Sequence, residues 1–196
     1  PLLKPGGHGA LWKAAQQANV LSKLQHSNHK FALIRQINNP IAGVDNGLLS
    51  LLGAGVTHNK SFGFLSCEKR IGASEGVNAI LETEEGCTLT NIEYPNFKKN
   101  PIAEKIAHAP AYPANTNVLF ANLEAIDAAI EKNPIPGSLL NIKTRYAVNN
   151  KRKRVYGGRL EATMQNIADT FVQKIKPESP LDHQFLAYLL QDFLLL

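Results

Sequence analysis

Cysteine, tryptophan and methionine are nearly missing from this chain: two, one and one in 196 residues. Two cysteines, Cys67 and Cys87, cannot build a disulfide-stapled scaffold, and their spacing is not that of a metal-binding pair. Buried reduced thiols are expected, with a disulfide between neighbouring strands as the alternative. Aromatics make up only 7% and do not interleave with basic residues, which excludes a surface that stacks RNA bases. No apolar run reaches the roughly 18 residues that a bilayer-spanning helix needs. No signal-peptide pattern is read at the start. The six histidines are scattered, with no catalytic triad or ligand cluster among them.

What is present reads as one ordinary globular domain, 44% apolar and 19% charged. The formal charge is +5, with much of the excess in Lys151-Arg152-Lys153-Arg154 beside the turn-like Asn149-Asn150. That run reads as a solvated hairpin tip, with attraction to phosphates as the alternative. The beginning at Pro1 and the apolar Phe185–Leu196 segment are read as signs of a fragment or processed chain.

Apolar residues at three- and four-residue spacing predict a helix over Ala10–Leu24, entered through a glycine-rich turn. Lys30–Ile37 reads as a strand, Asn46–Ala54 as a helix and Ser61–Glu68 as a buried strand. Val77–Leu81 and Thr88–Tyr94 flank Glu84-Glu85-Gly86 as a hairpin. A strand at Asn117–Phe120, a helix at Leu123–Lys132 and a strand at Leu139–Val148 follow. Leu160, Met164, Ile167, Ala168 and Phe171 predict a helix over Gly158–Lys174. Pro177–Pro180 reads as a linker before a C-terminal helix, dividing the chain into 1–176 and 177–196. Alternating strands and helices indicate an α/β fold with a mixed, mostly parallel sheet.

Three places could carry chemistry. Lys4-Pro5-Gly6-Gly7-His8-Gly9 leads into a helix, where glycines allow close approach to a ligand and the helix start favours anions. His8 adds a donor for a phosphate. A structural glycine turn is the alternative. Asn115 and Asn117 offer amides suited to sugar hydroxyls, or to a turn. Lys143 lies inside the apolar run Leu140-Asn141-Ile142, where lysine needs an anionic partner or a route to water.

In this order the motifs resemble the UTP–glucose-1-phosphate and UDP-N-acetylhexosamine uridylyltransferases. Lys4–Gly9 matches the family's lysine-proline-proline-glycine-histidine-glycine loop, with Gly6 replacing a proline. Asn115–Phe120 matches its asparagine-threonine-asparagine-asparagine-leucine-tryptophan run, with Val118 and Phe120 substituted. Ile92-Glu93-Tyr94 matches a valine-glutamate-isoleucine strand, and Asn141-Ile142-Lys143 an asparagine-proline-lysine strand. Arg159–Thr163 resembles the family's next helix start. The likeness runs from Lys4 to about Thr170 and is nearest the plastid-type glucose branch at Arg35–Asp45 and Met164–Asp169.

The resemblance implies a Rossmann-like nucleotidyltransferase sheet of the GT-A-like kind, flanked by helices and incomplete at its N-terminus. It implies uridylyl transfer from UTP to a sugar 1-phosphate, glucose 1-phosphate foremost, with N-acetylhexosamine 1-phosphate as an alternative. Lys143 and His8 would be catalytic. Lys4, Gly7, His8 and Asn38 would meet the nucleotide, and Glu93, Asn115 and Asn117 the sugar. Magnesium is the implied cofactor, although Asn38 stands where the family has its metal-binding aspartate. Asp45 matches a further family aspartate, read as structural. The family's glycine-rich nucleotide loop would lie upstream of Pro1, so the chain alone is expected to be inactive and to self-associate through an exposed sheet edge. No nucleic acid or membrane partner is expected. The implied compartment is the cytoplasm, or the plastid stroma in a plant. The family's turn lysine is also missing near Glu75-Gly76. That loss and Asn38 leave a non-catalytic UDP-sugar-binding protein as the other reading.

Overall fold

The computed structural model describes residues 6–37, 46–70, 73, 75–93, 113–147, 154–173 and 185–189, with backbone only for 141–147, 154–157 and 185–189. Helices α1 (Ala10–Gln17) and α2 (Val20–His26) come first, then β1 (Phe31–Ile34), α3 (Asn46–Thr57) and β2 (Phe62–Glu68). The hairpin β3 (Val77–Thr83) and β4 (Gly86–Ile92) follows, then β5 (Pro113–Asn122) and α4 (Leu123–Lys132). The ribbon β6 (Leu139–Ala147) and β7 (Arg154–Glu161), a 3₁₀ helix at Met164–Thr170 and β8 (Phe185–Leu189) complete the order.

The main sheet runs β4-β3-β5-β2-β8, with β1 also on β5. This is an α/β fold, but the expected predominance of parallel pairing does not hold among the described strands. Only β2 with β8 is parallel, while β1–β5, β2–β5, β3–β5 and β3–β4 are antiparallel. The reason lies partly in the hairpin: a two-residue connection at Glu84-Glu85 permits only antiparallel neighbours.

Side chains alternate across β2 and β5, so each face of the sheet has its own core. Phe62, Phe64, Leu119 and Ala121 meet Trp12, Leu21, Ile126, Ile130, Met164 and Ile167 on one face. Leu65, Val118 and Phe120 meet Leu48 and Leu51 of α3 on the other. Phe62 and Phe64 are fully buried and pack edge-to-face at 5.4 Å; burying such a ring contributes about 1.5–3 kcal/mol. Gly55 is required by this packing, because a Cβ there would stand 2.5 Å from the Phe120 ring.

Local chemistry explains most boundaries. The single helix expected over Ala10–Leu24 is broken at Asn19, whose φ of 55° closes α1 in the left-handed conformation. Its N–H donates to the Gln16 carbonyl at 2.9 Å. Helix α4 starts at Leu123 because the Asn122 carboxamide oxygen accepts from the Glu124 and Ala125 amides at 3.0 and 3.2 Å.

Two expected helices are wholly or partly strands instead. Gly158–Lys174 is not one helix: Arg154–Glu161 pairs antiparallel with Leu139–Ala147, and only Met164–Thr170 is helical, as a 3₁₀ turn. Cross-strand bonding along the ribbon outweighs an apolar spacing in which Gly157 and Gly158 are poor helix formers. Leu160, assigned to the buried stripe, is 66% exposed on β7. Likewise Phe185–Leu189, expected in a C-terminal helix, is a strand in register with Phe62–Ser66. Lys4, Asn38, Asp45 and the Lys151–Lys153 part of the basic run lie outside the described residues. Both cysteines are free thiols.

Candidate functional site

The glycine-rich turn is held by the chain that leaves β7. Gly6 O accepts from the Ala162 amide at 2.6 Å, and Gly9 N–H donates to Ala162 O at 2.9 Å. Gly7, at φ +86°, has no room for a Cβ against Ala162, and a Cβ at Gly9 would stand 2.6 Å from Thr163 N. These glycines therefore serve close backbone packing here. The first amides of α1 are also engaged: Ala10, Leu11 and Trp12 donate to Gly7, His8 and Gly9 carbonyls at 3.2–3.4 Å.

His8, between those glycines, accepts at Nδ1 from the Met164 amide at 2.9 Å. A ring nitrogen that accepts a main-chain bond must be unprotonated, which leaves Nε2 carrying the proton. Burial of the ring lowers its pKa below the usual value, with Glu161 pulling the other way. His8 as a whole is exposed, and among the described residues Nε2–H has no partner. His8 is thus a neutral donor facing outward.

One residue further on, Gln165 Nε2 donates to Glu93 Oε1 at 2.6 Å. Glu93 directly follows the last paired residue of β4, Ile92. Burial raises its pKa, and the Gln165 bond lowers it in part. Behind it runs a chain of buried amides. Gln165 Nε2 reaches Asn91 Oδ1 at 3.4 Å, Asn91 donates to Asn78 at 2.9 Å, and Asn78 donates to Ser66 Oγ at 2.9 Å. Asn78 and Asn91 are direct cross-strand partners on the hairpin. Asn166 ties the 3₁₀ helix to the same place through Asn91 O at 3.1 Å, and Thr163 Oγ1 donates to Asn166 at 2.6 Å.

Ser66, at the end of that chain, is the register partner of Asn115. Between Leu65↔Val118 and Ser66↔Asn115 two residues, Thr116 and Asn117, are inserted into β5. This is a bulge of the kind that redirects side chains beside sites. Asn117 takes φ 59°. Asn115 Nδ2 donates to Asn117 Oδ1, and Asn115 Oδ1 accepts from the Asn117 amide, both at 3.0 Å. Thr116 Oγ1 donates to Leu65 O at 2.6 Å and accepts from Val118 N at 3.3 Å. Strands β3 and β1 pair the opposite edge of β5 at Ala114 and from Leu119 onward, so the bulge lies at a split in the sheet.

Lys143 is also at a bulge. On β6, Ile142 faces Gly158 and Thr144 faces Gly157, which leaves Lys143 without an opposite residue. Strand β7 leads directly from this ribbon to Ala162 and the glycine turn.

Of the residues read from sequence, Glu93 joins the hydrogen-bonded series from Gln165 to Ser66, His8 is bonded to Met164 next to Gln165 in the chain, and Asn115, bonded to Asn117, is the register partner of Ser66. The sequence reading missed Gln165, Asn166, Asn78, Asn91 and Ser66. The expected three-residue turn Glu84-Glu85-Gly86 would set Asn78 against Ile92; Gly86 instead pairs with Thr83, which makes Asn78 and Asn91 partners. Among the described residues no group of three or more His, Cys, Asp or Glu side chains could hold a metal ion. A hollow of about 560 Å³ lined by Gln25, Asn28, Lys30, Asn59 and Asn122 opens at the far end of β5, away from this cluster.

Comparison with known families decides the kinship. The family described as UTP–glucose-1-phosphate uridylyltransferase matches residues 2–176. The chain belongs to the UTP–glucose-1-phosphate uridylyltransferase family. It is 37% identical over 189 residues to UTP–glucose-1-phosphate uridylyltransferase 3, chloroplastic, of Arabidopsis thaliana, covering 89% of this chain and 21% of that protein. The chain thus spans about a fifth of that curated relative's length. Solved structures of similar fold include a UDP-glucose phosphorylase from Trypanosoma brucei, at TM-score 0.67 and 17% identity over 94% of this chain and 36% of that one. A UDP-glucose pyrophosphorylase variant from Leishmania major in complex with UDP-glucose gives 0.62 and 18%, over 95% and 38%. A putative UDP-N-acetylglucosamine pyrophosphorylase from Entamoeba histolytica gives 0.64 and 15%, over 98% and 45%. The uridylyltransferase resemblance read from the motifs therefore holds, and it holds across the fold. No helix among the described residues is long and apolar enough to cross a membrane.

Proposed function

We propose that this chain forms the sugar-side half of a uridylyltransferase site, in a protein that joins UTP and glucose 1-phosphate to give UDP-glucose and pyrophosphate. The observation that carries this reading is the placing of two chemistries on neighbouring residues. Met164 orients a neutral histidine donor, His8, and Gln165 orients an anionic acceptor, Glu93. A phosphate oxygen needs the first and a sugar hydroxyl the second.

In the proposed reaction a phosphate oxygen of the sugar 1-phosphate attacks the α-phosphorus of UTP and pyrophosphate leaves. Such transfer needs alignment and charge neutralisation more than a covalent nucleophile. Lys143 is assigned the neutralising charge, His8 Nε2–H a bond to the α-phosphate, and Lys4 and Gly7 the nucleotide. Glu93, Asn115 and Asn117 are assigned the sugar hydroxyls. Magnesium is proposed to accompany the triphosphate, an ion that keeps water and phosphate oxygens as most of its ligands. The described side chains supply no cluster of their own for it, and Asn38 is a neutral ligand at best. The proposed compartment is the plastid stroma in a plant, in keeping with the chloroplastic relative, and the cytoplasm otherwise.

A second reading, binding of UDP-sugars without turnover, is favoured by Asn38 standing where the family has an aspartate. The deciding experiment is pyrophosphate release by the full-length protein with UTP and a panel of sugar 1-phosphates. Release with glucose 1-phosphate supports transfer; UDP-glucose binding without release under any sugar would select the second reading.

A further inference from the structure

We infer that Gln165 is the positioning residue for the Glu93 carboxylate, setting which of its oxygens meets the sugar; this rests on the reading of Glu93 as a sugar-hydroxyl acceptor. Glu93 stands just past the end of β4, so the strand ladder does not hold it. Its carboxylate is part-buried, and among the described residues its partner is a neutral amide with no cation beside it. Carboxylates withdrawn from water are ordinarily paired with a cation, often an arginine fork that takes both oxygens. A single amide takes only one. Among the described residues Glu93 Oε2 has no partner, which leaves an anionic acceptor open to a ligand hydroxyl.

Gln165 can direct that bond because it is itself fixed. It is 1% exposed, and the amides behind it form a directional series, each donating to the next, down to Ser66 Oγ. That polarity leaves Nε2 as the only end able to face Glu93. The other end, Oε1, is buried and has no hydrogen-bond partner among the described residues. A purely structural side chain here would gain by being apolar, since an unmet buried acceptor carries a cost that methionine or leucine avoids. The glutamine retains that cost and supplies a donor to Glu93.

Among the described residues, the charged groups on the surrounding elements have other partners. Asp169 on the 3₁₀ helix accepts from Asn166, Arg159 and Glu161 pair at the end of β7, and Arg70 pairs with Glu75 beyond β2. His8 receives the Met164 amide, and Lys69 donates to a carbonyl.

The test uses the full-length protein and three variants, Glu93→Gln, Gln165→Met and Gln165→Glu, with KM for glucose 1-phosphate and kcat measured from about pH 5.5 to 8.5. Gln165→Met should raise KM about tenfold with kcat within about threefold, and should move the acid limb of sugar binding to higher pH. Gln165→Glu should show the same loss at neutral pH but recover at the acid end, where two carboxyls sharing one proton restore a donor. If Glu93→Gln leaves KM unchanged, the reading of Glu93 itself falls, and this inference with it. If Glu93→Gln raises KM while Gln165→Met matches the parent in KM and acid limb, the positioning role is overturned and the site reading stands. Should Gln165→Met not fold, Gln165→Glu carries the test: a neutral-pH loss without recovery in acid overturns the inference.

Discussion

Both bulges among the described strands carry a residue assigned to the site, but they are held in different ways. The β5 bulge at Thr116-Asn117 lies inside the main sheet, where Thr116 is bonded to Leu65 and the two asparagines bond each other. The β6 bulge at Lys143 belongs to a two-stranded ribbon and faces consecutive glycines, Gly157 and Gly158. Telling one sugar from another requires hydroxyl acceptors fixed by their own neighbours, because selectivity depends on small offsets. Neutralising a phosphate requires a charge at the right depth, and a long side chain tolerates a less supported backbone. The difference matches what each bulge is proposed to touch.

The largest expected break in this comparison is at the ribbon. Lys143→Ala in the full-length protein should lower kcat about 10²–10³-fold, roughly 3–4 kcal/mol of transition-state stabilisation, with a small change in KM. Near-normal turnover in a folded variant would remove the lysine from the site. Next, Asn115→Ala should act on the other bulge and raise KM for glucose 1-phosphate about tenfold while kcat changes less. A kcat loss as large as that of Lys143→Ala would dissolve the distinction between the bulges.

Thr116→Val tests how the β5 bulge is held. It leaves Leu65 O and Val118 N without Oγ1 and should cost about 1–2 kcal/mol in denaturant unfolding. An unchanged midpoint would mean that the insertion in β5 keeps its shape without the hydroxyl.

The smallest effect is in the pH dependence of stability. Glu93 and Asp169 have folded pKa values raised by burial, so the folded state binds more protons than the unfolded state just above the usual carboxylate value of about 4. Stability should therefore fall as pH rises through that window. His8, with its pKa lowered, acts oppositely and adds stability as pH rises towards about 6.5. Melting temperatures across the carboxylate range should fall less steeply with rising pH in Glu93→Gln; an unaltered slope would dismiss Glu93 as the source.

How much of this was legible depended on where the determining contacts lie. Leu123–Lys132 could be read to the residue because its apolar spacing and its Asn122 cap are local. The β3–β4 hairpin could be read because its turn is local, but its register is one residue off the expected turn, since Gly86 pairs with Thr83. The ribbon's first strand, read at Leu139–Val148, was legible, but its second was not, since the spacing from Leu160 to Phe171 satisfies a helical period and only pairing with Leu139–Ala147 decides otherwise. Glu93 and Asn115 could be matched to family motifs by eye. Gln165 and the Asn78–Asn91 pair could not be found that way: polar side chains in periodic segments read as solvent-facing, and what buries them comes from three separate parts of the chain. The parallel sheet was inferred from alternation of elements, a pattern that antiparallel strands with long connections also produce.

The hydrogen bond from Trp12 Nε1 to Met164 O spans 152 residues, and with the Gly6–Ala162 pairing it has a consequence in time. Contacts of such separation form late, because the loop they close must be ordered first. Strands β2 to β5 can pair while the chain is still growing; His8 can take its orientation only after Met164 has been made and docked. The same contacts should be among the first to open in the native state. Amide exchange should therefore find Gly9 and Met164 less protected than Phe64 or Leu119, so that the site assembles after the central strands and lets go before them.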